Sequence, residues 1–116
     1  MTILLIEDDQ QYKSAIMRVL KKYNFLTMSS GIGVLPMLEI HSIDLIITDI
    51  MMPDQEGIET ILSIRENTDY DNIPIIAISS NVTYLKLAQD IGADYIIEKP
   101  FPNDALHNIV DYYLSH

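Results

Sequence analysis

A chain of 116 residues, 48% hydrophobic and 21% charged, is long enough for one substantial core and too short for two, so a single domain over residues 1–116 is expected. That composition excludes a disordered tail, and the apolar runs are too short to cross a bilayer. Seventeen acidic against seven basic side chains give a formal net charge of −10, which repels phosphate backbones; it argues against direct nucleic-acid binding and leaves proteins or cations as partners.

The first predicted element is a strand at "ILLI" (3–6), too short for the core of a secretory leader. With no cysteine there is neither a disulfide framework nor a thiolate metal site, and the plain expectation is a cytoplasmic protein. Glu7, Asp8 and Asp9 follow at once, with no basic residue until Lys13. Asp9 suits the cap of a helix whose buried stripe is Ile16, Val19, Leu20 and Tyr23, with Asn24 as its stop. A second strand, "FLTM" (25–28), leads through Gly31 and Gly33 to a weaker helix, "GVLPMLEIH", in which Pro36 is tolerable only near the first turn.

The third strand, "IDLIIT" (43–48), ends at Asp49. A helix from about Glu56 to Arg65 places Ile58, Ile61 and Leu62 on one face. The fourth strand, "IPIIAIS" (73–79), ends at Ser79 and Ser80, and its helix carries Tyr84, Leu87, Ala88 and Ile91 before Gly92. The fifth, "YII" (95–97), runs to Lys99; Asn103 then caps a helix with Leu106, Ile109, Val110 and Tyr113 inward. Several strands are continuous apolar runs, as in parallel sheets covered on both faces. The α/β pattern is therefore (βα)5, a doubly wound parallel five-stranded sheet of flavodoxin-like order 2-1-3-4-5, with its binding crevice at the carboxyl ends of the strands.

Glu7, Asp8, Asp49, Ser79 and Lys99 all fall at those carboxyl ends. Strands one, three and four are neighbours in this order, so their polar residues converge, with Lys99 reaching in from the edge. Clustered carboxylates repel one another and raise at least one pKa unless a counter-charge is present. A hard divalent cation with oxygen ligands, Mg²⁺ above all, resolves that conflict.

The segments "ILLIEDDQ", "DLIITDIMMPDQEGIE", "IPIIAISS" and "GADYIIEKPF", in this order over the whole chain, resemble the response-regulator receiver domain of two-component signalling. The resemblance implies that Asp49 is phosphorylated, that Glu7 and Asp8 are the acid pair, and that Ser79 and Lys99 are the hydroxyl and the lysine of the site. It implies Mg²⁺ held by Asp8, Asp49 and the main-chain carbonyl of Met51, with Glu7 acting mostly through water, and a cis Lys99–Pro100 bond. The implied partners are a histidine kinase or phosphotransfer protein and a downstream protein or output domain reading the surface from Tyr84 to Tyr113. No membrane contact is implied, and a dimer formed on phosphorylation is compatible with the family.

The chain departs from the family's pattern at Ile96, where an aromatic switch often stands; Tyr95, one residue earlier, should point to the opposite sheet face. Met51 and Asn81 are the positions expected to set the lifetime of the phosphoryl group, a bulky apolar Met51 hindering water. One rival is an aspartate-nucleophile phosphohydrolase, which usually wants a second acid where Met51 stands. Others are a receiver-like interaction module without phosphorylation, and a flavin carrier, which would need a phosphate loop after strand one. His41, His107 and His116 lack ligand spacing and read as ordinary histidines, Met51 to Pro53 as a loop over the site, and Gly57 as a packing glycine.

Overall fold

The computed structural model describes residues 1–50 and 56–115, with Glu56 described by its main chain alone. The expectations for Met51, Met52, Pro53 and His116 lie outside the described residues. In chain order the elements are β1 (Thr2–Ile6), α1 (Gln10–Val19), β2 (Asn24–Met28), α2 (Val34–Ile40) and β3 (Leu45–Asp49). They continue with α3 (Glu56–Glu66), a single 3-10 turn (Thr68–Tyr70) that the sequence did not announce, β4 (Ile75–Ser79), α4 (Val82–Asp90), β5 (Tyr95–Glu98) and α5 (Asn103–Ser115).

The five strands pair in parallel in the order β2-β1-β3-β4-β5, as the continuous apolar runs require. Side chains alternate across the pleat. Leu4, Ile6, Ile46, Ile75 and Ala77 pack towards the core that holds residues of α2, α3 and α4. Ile3, Leu5, Leu45, Ile47, Ile76 and Ile78 pack towards the core of α1 and α5. Burying each of these Ile and Leu side chains contributes about 1.5–3 kcal/mol, so the three central strands anchor the strand ends on which the polar residues sit.

Helix rotation differs from the expected stripes. Leu62 is 39% exposed and Leu87 40% exposed, whereas Ile64 and Leu85 are buried. The rows that meet the sheet are Ile58, Ile61 and Ile64 on α3 and Leu85 and Ala88 on α4, both spaced i, i+3. Helix α1 stops at Val19, with the Leu20 N–H bonded to Ile16 O, so Tyr23 lies beyond it. Asn24 does not cap α1; its N–H pairs with Met1 O at 3.1 Å, which draws it into β2. Asn103 is likewise already the first residue of α5, because the carbonyl of Pro102 accepts the Ala105 N–H and Pro102 takes the flanking position.

Two glycines have positive φ, Gly33 at the N-cap of α2 (86°) and Gly92 after α4 (128°), conformations that other residues adopt only with strain. Next to Gly92, Arg65 gathers the amino-end loops of the sheet. Its Nε donates to Gly92 O (2.9 Å), Nη1 to Tyr70 O (3.0 Å), and Nη2 to Ile73 O (2.9 Å) and Asp94 Oδ2 (2.8 Å). Asp94 Oδ2 in turn accepts the N–H of Ile75 at the start of β4 (2.8 Å). Among the described residues no helix is long and apolar enough to cross a membrane.

Candidate functional site: an acidic crevice closed by a lysine

Strand β1 ends one residue before Glu7, whose main-chain N–H donates to Met28 O at the end of β2 (2.9 Å) and so continues the ladder. Its side chain is therefore carried inward and is 1% exposed. Asp8, the next residue, is exposed, and Asp49 closes β3 beside it in a half-buried position. One carboxylate oxygen from each of Glu7, Asp8 and Asp49 lies within 4.8 Å of the others. Gly57 permits the close packing of α3 here: a Cβ on it would lie 3.1 Å from the Asp49 carbonyl oxygen.

Lys99 enters from β5. Its N–H bonds to Ser79 O (2.8 Å), and the bond to Pro100 is cis. The Lys99 ammonium, 19% exposed, reaches Asp49 Oδ1 at 2.9 Å and Glu7 Oε1 at 3.3 Å. Ser79 is buried at the end of β4, and its Oγ accepts the Asn81 N–H (3.1 Å). The Asn81 side chain accepts the Tyr84 N–H (3.1 Å) and so caps α4. Asp9 caps α1 by accepting the Tyr12 N–H (3.1 Å), and its own N–H donates to Glu7 Oε2 (3.2 Å). Asp9 thus serves the helix and orients Glu7 without joining the acidic trio.

Electrostatics follow from this crowding. Burial, and then the charge of Asp49, push the Glu7 carboxyl up to about 7, against the opposing pull of the Asp9 N–H and of Lys99. Burial works against the Lys99 ammonium, yet its hydrogen bond to Asp49, with the charges of Asp49 and Glu7, lifts it above lysine's ordinary value. When ionised, three carboxylates face one ammonium, an excess of two negative charges that one divalent cation would balance. The donors are hard oxygens, and the trio is the one group among the described residues able to offer a metal such a set.

Glu7, Asp8, Asp49 and Lys99 are thus brought together by their side chains, and Ser79 is joined to Lys99 through its main-chain carbonyl, while Met51 is not described. Ile96 is half-buried against the core of α2, α3 and α4, while Tyr95 is 42% exposed, on the other face as strand alternation requires. One neighbour was missed. The ring of Tyr12, in the first turn of α1, lies with its centroid 4.0 Å from Lys99 Nζ; its helical spacing to Ile16 and Val19 was the one signal that it faces inward.

A family model described as the response regulator receiver domain matches residues 3–111. The chain belongs to the response regulator receiver domain family. This receiver domain is 32% identical over 108 residues to hybrid signal transduction histidine kinase D of Dictyostelium discoideum, covering 90% of this chain and 7% of that protein. It is 33% identical over 101 residues to the transcriptional regulatory protein CpxR of Escherichia coli, covering 85% of this chain and 43% of that one. The chain therefore spans less than half the length of either relative.

Among solved structures it is similar to the receiver domain of a sensor histidine kinase from Pseudomonas aeruginosa, with a TM-score of 0.84 and 26% identity over 99% of this chain and 98% of that one. In that protein a magnesium ion is coordinated in the active-site cleft. The receiver role in two-component signalling is shared with response regulators and hybrid kinases alike, and neither the phosphohydrolase nor the interaction-module alternative is favoured.

Proposed function

We propose that Asp49 is the phosphoacceptor of this receiver domain, taking a phosphoryl group from a phosphohistidine on a histidine kinase or phosphotransfer protein. The convergence of Glu7, Asp8, Asp49 and the Lys99 ammonium on one crevice carries the reading. Mg²⁺ suits the oxygen donors of Glu7, Asp8 and Asp49; by the family resemblance it would be held by Asp8, Asp49 and the main-chain carbonyl of Met51, with Glu7 acting mostly through water. When bound, the cation supplies charge that screens the carboxylate from the incoming phosphoryl group.

Asp49 Oδ attacks phosphorus, the bond from phosphorus to the histidine nitrogen breaks, and its electron pair stays on the imidazole. An acyl phosphate results. Lys99, already at Asp49, moves its positive charge to a phosphoryl oxygen. The Ser79 Oγ contact to the Asn81 N–H uses Ser79 as an acceptor and leaves its hydroxyl proton to bond the phosphoryl group. The new charge and acceptors then shift the adjoining loops, and the surface from Tyr84 to Tyr113 is read by a downstream protein or output domain.

In this reading the 1–116 receiver is a cytoplasmic signalling domain that promotes its own phosphorylation and dephosphorylation. Ile96 leaves the inward aromatic switch out, and Met51 and Asn81 tune how long the phosphoryl group survives. Intact-mass measurement after incubation with acetyl phosphate and Mg²⁺ tests the proposal. The parent should gain one phosphoryl group and Asp49→Ala none; equal gain in both would refute it.

A further inference from the structure

Lys99 has a neighbour that the phosphotransfer steps above do not use. Its ammonium lies 4.0 Å from the centroid of the Tyr12 ring, at the same time as 2.9 Å from Asp49 and 3.3 Å from Glu7. The ring is itself held. The Tyr12 N–H is bonded to the Asp9 cap at 3.1 Å, and Phe101 meets the ring edge to face at a centroid distance of 6.0 Å and an interplanar angle of 72°. Tyr12 thus joins the first turn of α1 to the segment Lys99–Phe101.

A carboxylate and an aromatic face attract an ammonium differently. The carboxylate brings a full charge and is spent on the ammonium it binds, whereas the ring attracts through its quadrupole and leaves the positive charge whole. Such contacts strengthen as the cation loses water, and this lysine is largely buried. The lysine also has to leave Asp49 for a phosphoryl oxygen during transfer, so a neutral support at its side keeps the ammonium in the crevice as its carboxylate partner changes.

We propose that Tyr12 is a positioning residue for Lys99, its ring face holding the ammonium at the carboxylate cluster ready for the phosphoryl group. The proposal rests on the phosphoacceptor reading above, but one of its tests does not. The chain has five lysines, so the Lys99 CεH₂ signal is resolvable by carbon-13 NMR and assignable by its loss in Lys99→Met. In the parent and in Tyr12→Phe that proton signal should be displaced upfield by the ring, and in Tyr12→Leu it should return to the ordinary lysine position.

Phosphorylation by acetyl phosphate at saturating Mg²⁺ is the second readout. Tyr12→Leu should react about threefold to tenfold more slowly than the parent, the range expected for losing one partly desolvated cation–ring contact, and Tyr12→Phe should restore the parent rate. An undisplaced Lys99 signal in the parent overturns the proposal whether or not the leucine variant folds. So does a leucine variant as fast as the parent, or a phenylalanine variant as slow as leucine. A parent that takes up no phosphoryl group would instead sink the phosphoacceptor reading, while the NMR comparison still decides whether the ring holds the ammonium.

Discussion

Lys99 Nζ stands 2.9 Å from Asp49 Oδ1, so the proposed phosphoacceptor is ion-paired before any phosphoryl group arrives. The ammonium therefore competes with a divalent cation for the same carboxylates. Lys99→Met should bind Mg²⁺ more tightly, by about threefold or more, because removing a charge a few ångströms away deepens the local negative potential. The same variant should be phosphorylated more slowly. Calorimetric titration with Mg²⁺ checks the first point; weaker binding in the variant would show that the lysine supports the cation instead.

Glu7 makes the fold sensitive to pH. Its folded-state pKa is about 7 against 4.5 for a free glutamate, so between these values the folded chain binds more protons than the unfolded one. Stability from this group is present below about 4.5 and is lost as pH rises through about 7. Without divalent cations, the melting temperature should fall more steeply from pH 5 to pH 8 in the parent than in Glu7→Gln, both carrying the same background of acidic self-repulsion. Saturating Mg²⁺ should remove most of the difference. Parallel slopes in the two proteins would show that Glu7 is not the titrating group.

Arg65 closes the opposite end of the sheet. Arg65→Ala removes donors to three main-chain carbonyls and to Asp94, and should destabilise the fold by about 2–4 kcal/mol in urea unfolding. Its phosphorylation rate should match the parent's under conditions where both are folded. A neutral substitution would mean that water replaces the guanidinium in these loops.

Met51→Asn should shorten the life of the phosphorylated form, since a polar side chain two residues beyond the acceptor can guide water where an apolar one blocks it. Decay followed by intact mass after removal of the phosphodonor checks this. Unchanged decay would place control of the lifetime elsewhere.

The crevice was legible because a strand's carboxyl end is also the end of its apolar run: Glu7, Asp49 and Ser79 could be placed by where "ILLI", "IDLIIT" and "IPIIAIS" stop. The contacts of Tyr12 and Arg65 were not legible, since Tyr12 meets Lys99 from a distant segment and Arg65 binds loop carbonyls at Tyr70, Ile73 and Gly92 that no apolar pattern marks. Leu62 and Leu87 failed for a third reason. On α3 and α4 the apolar residues cover a wider arc than the sheet can bury, so packing chose Ile64 and Leu85, and periodicity alone could not choose.

The most direct test of the account is to locate the acyl phosphate itself. Reduction of the acetyl phosphate-treated, Mg²⁺-loaded protein with borohydride converts a phosphoaspartate to homoserine, which peptide sequencing by mass spectrometry can place. Homoserine at position 49 and at no other aspartate is the predicted result. Homoserine at Asp8 or elsewhere, with Asp49 intact, would contradict it.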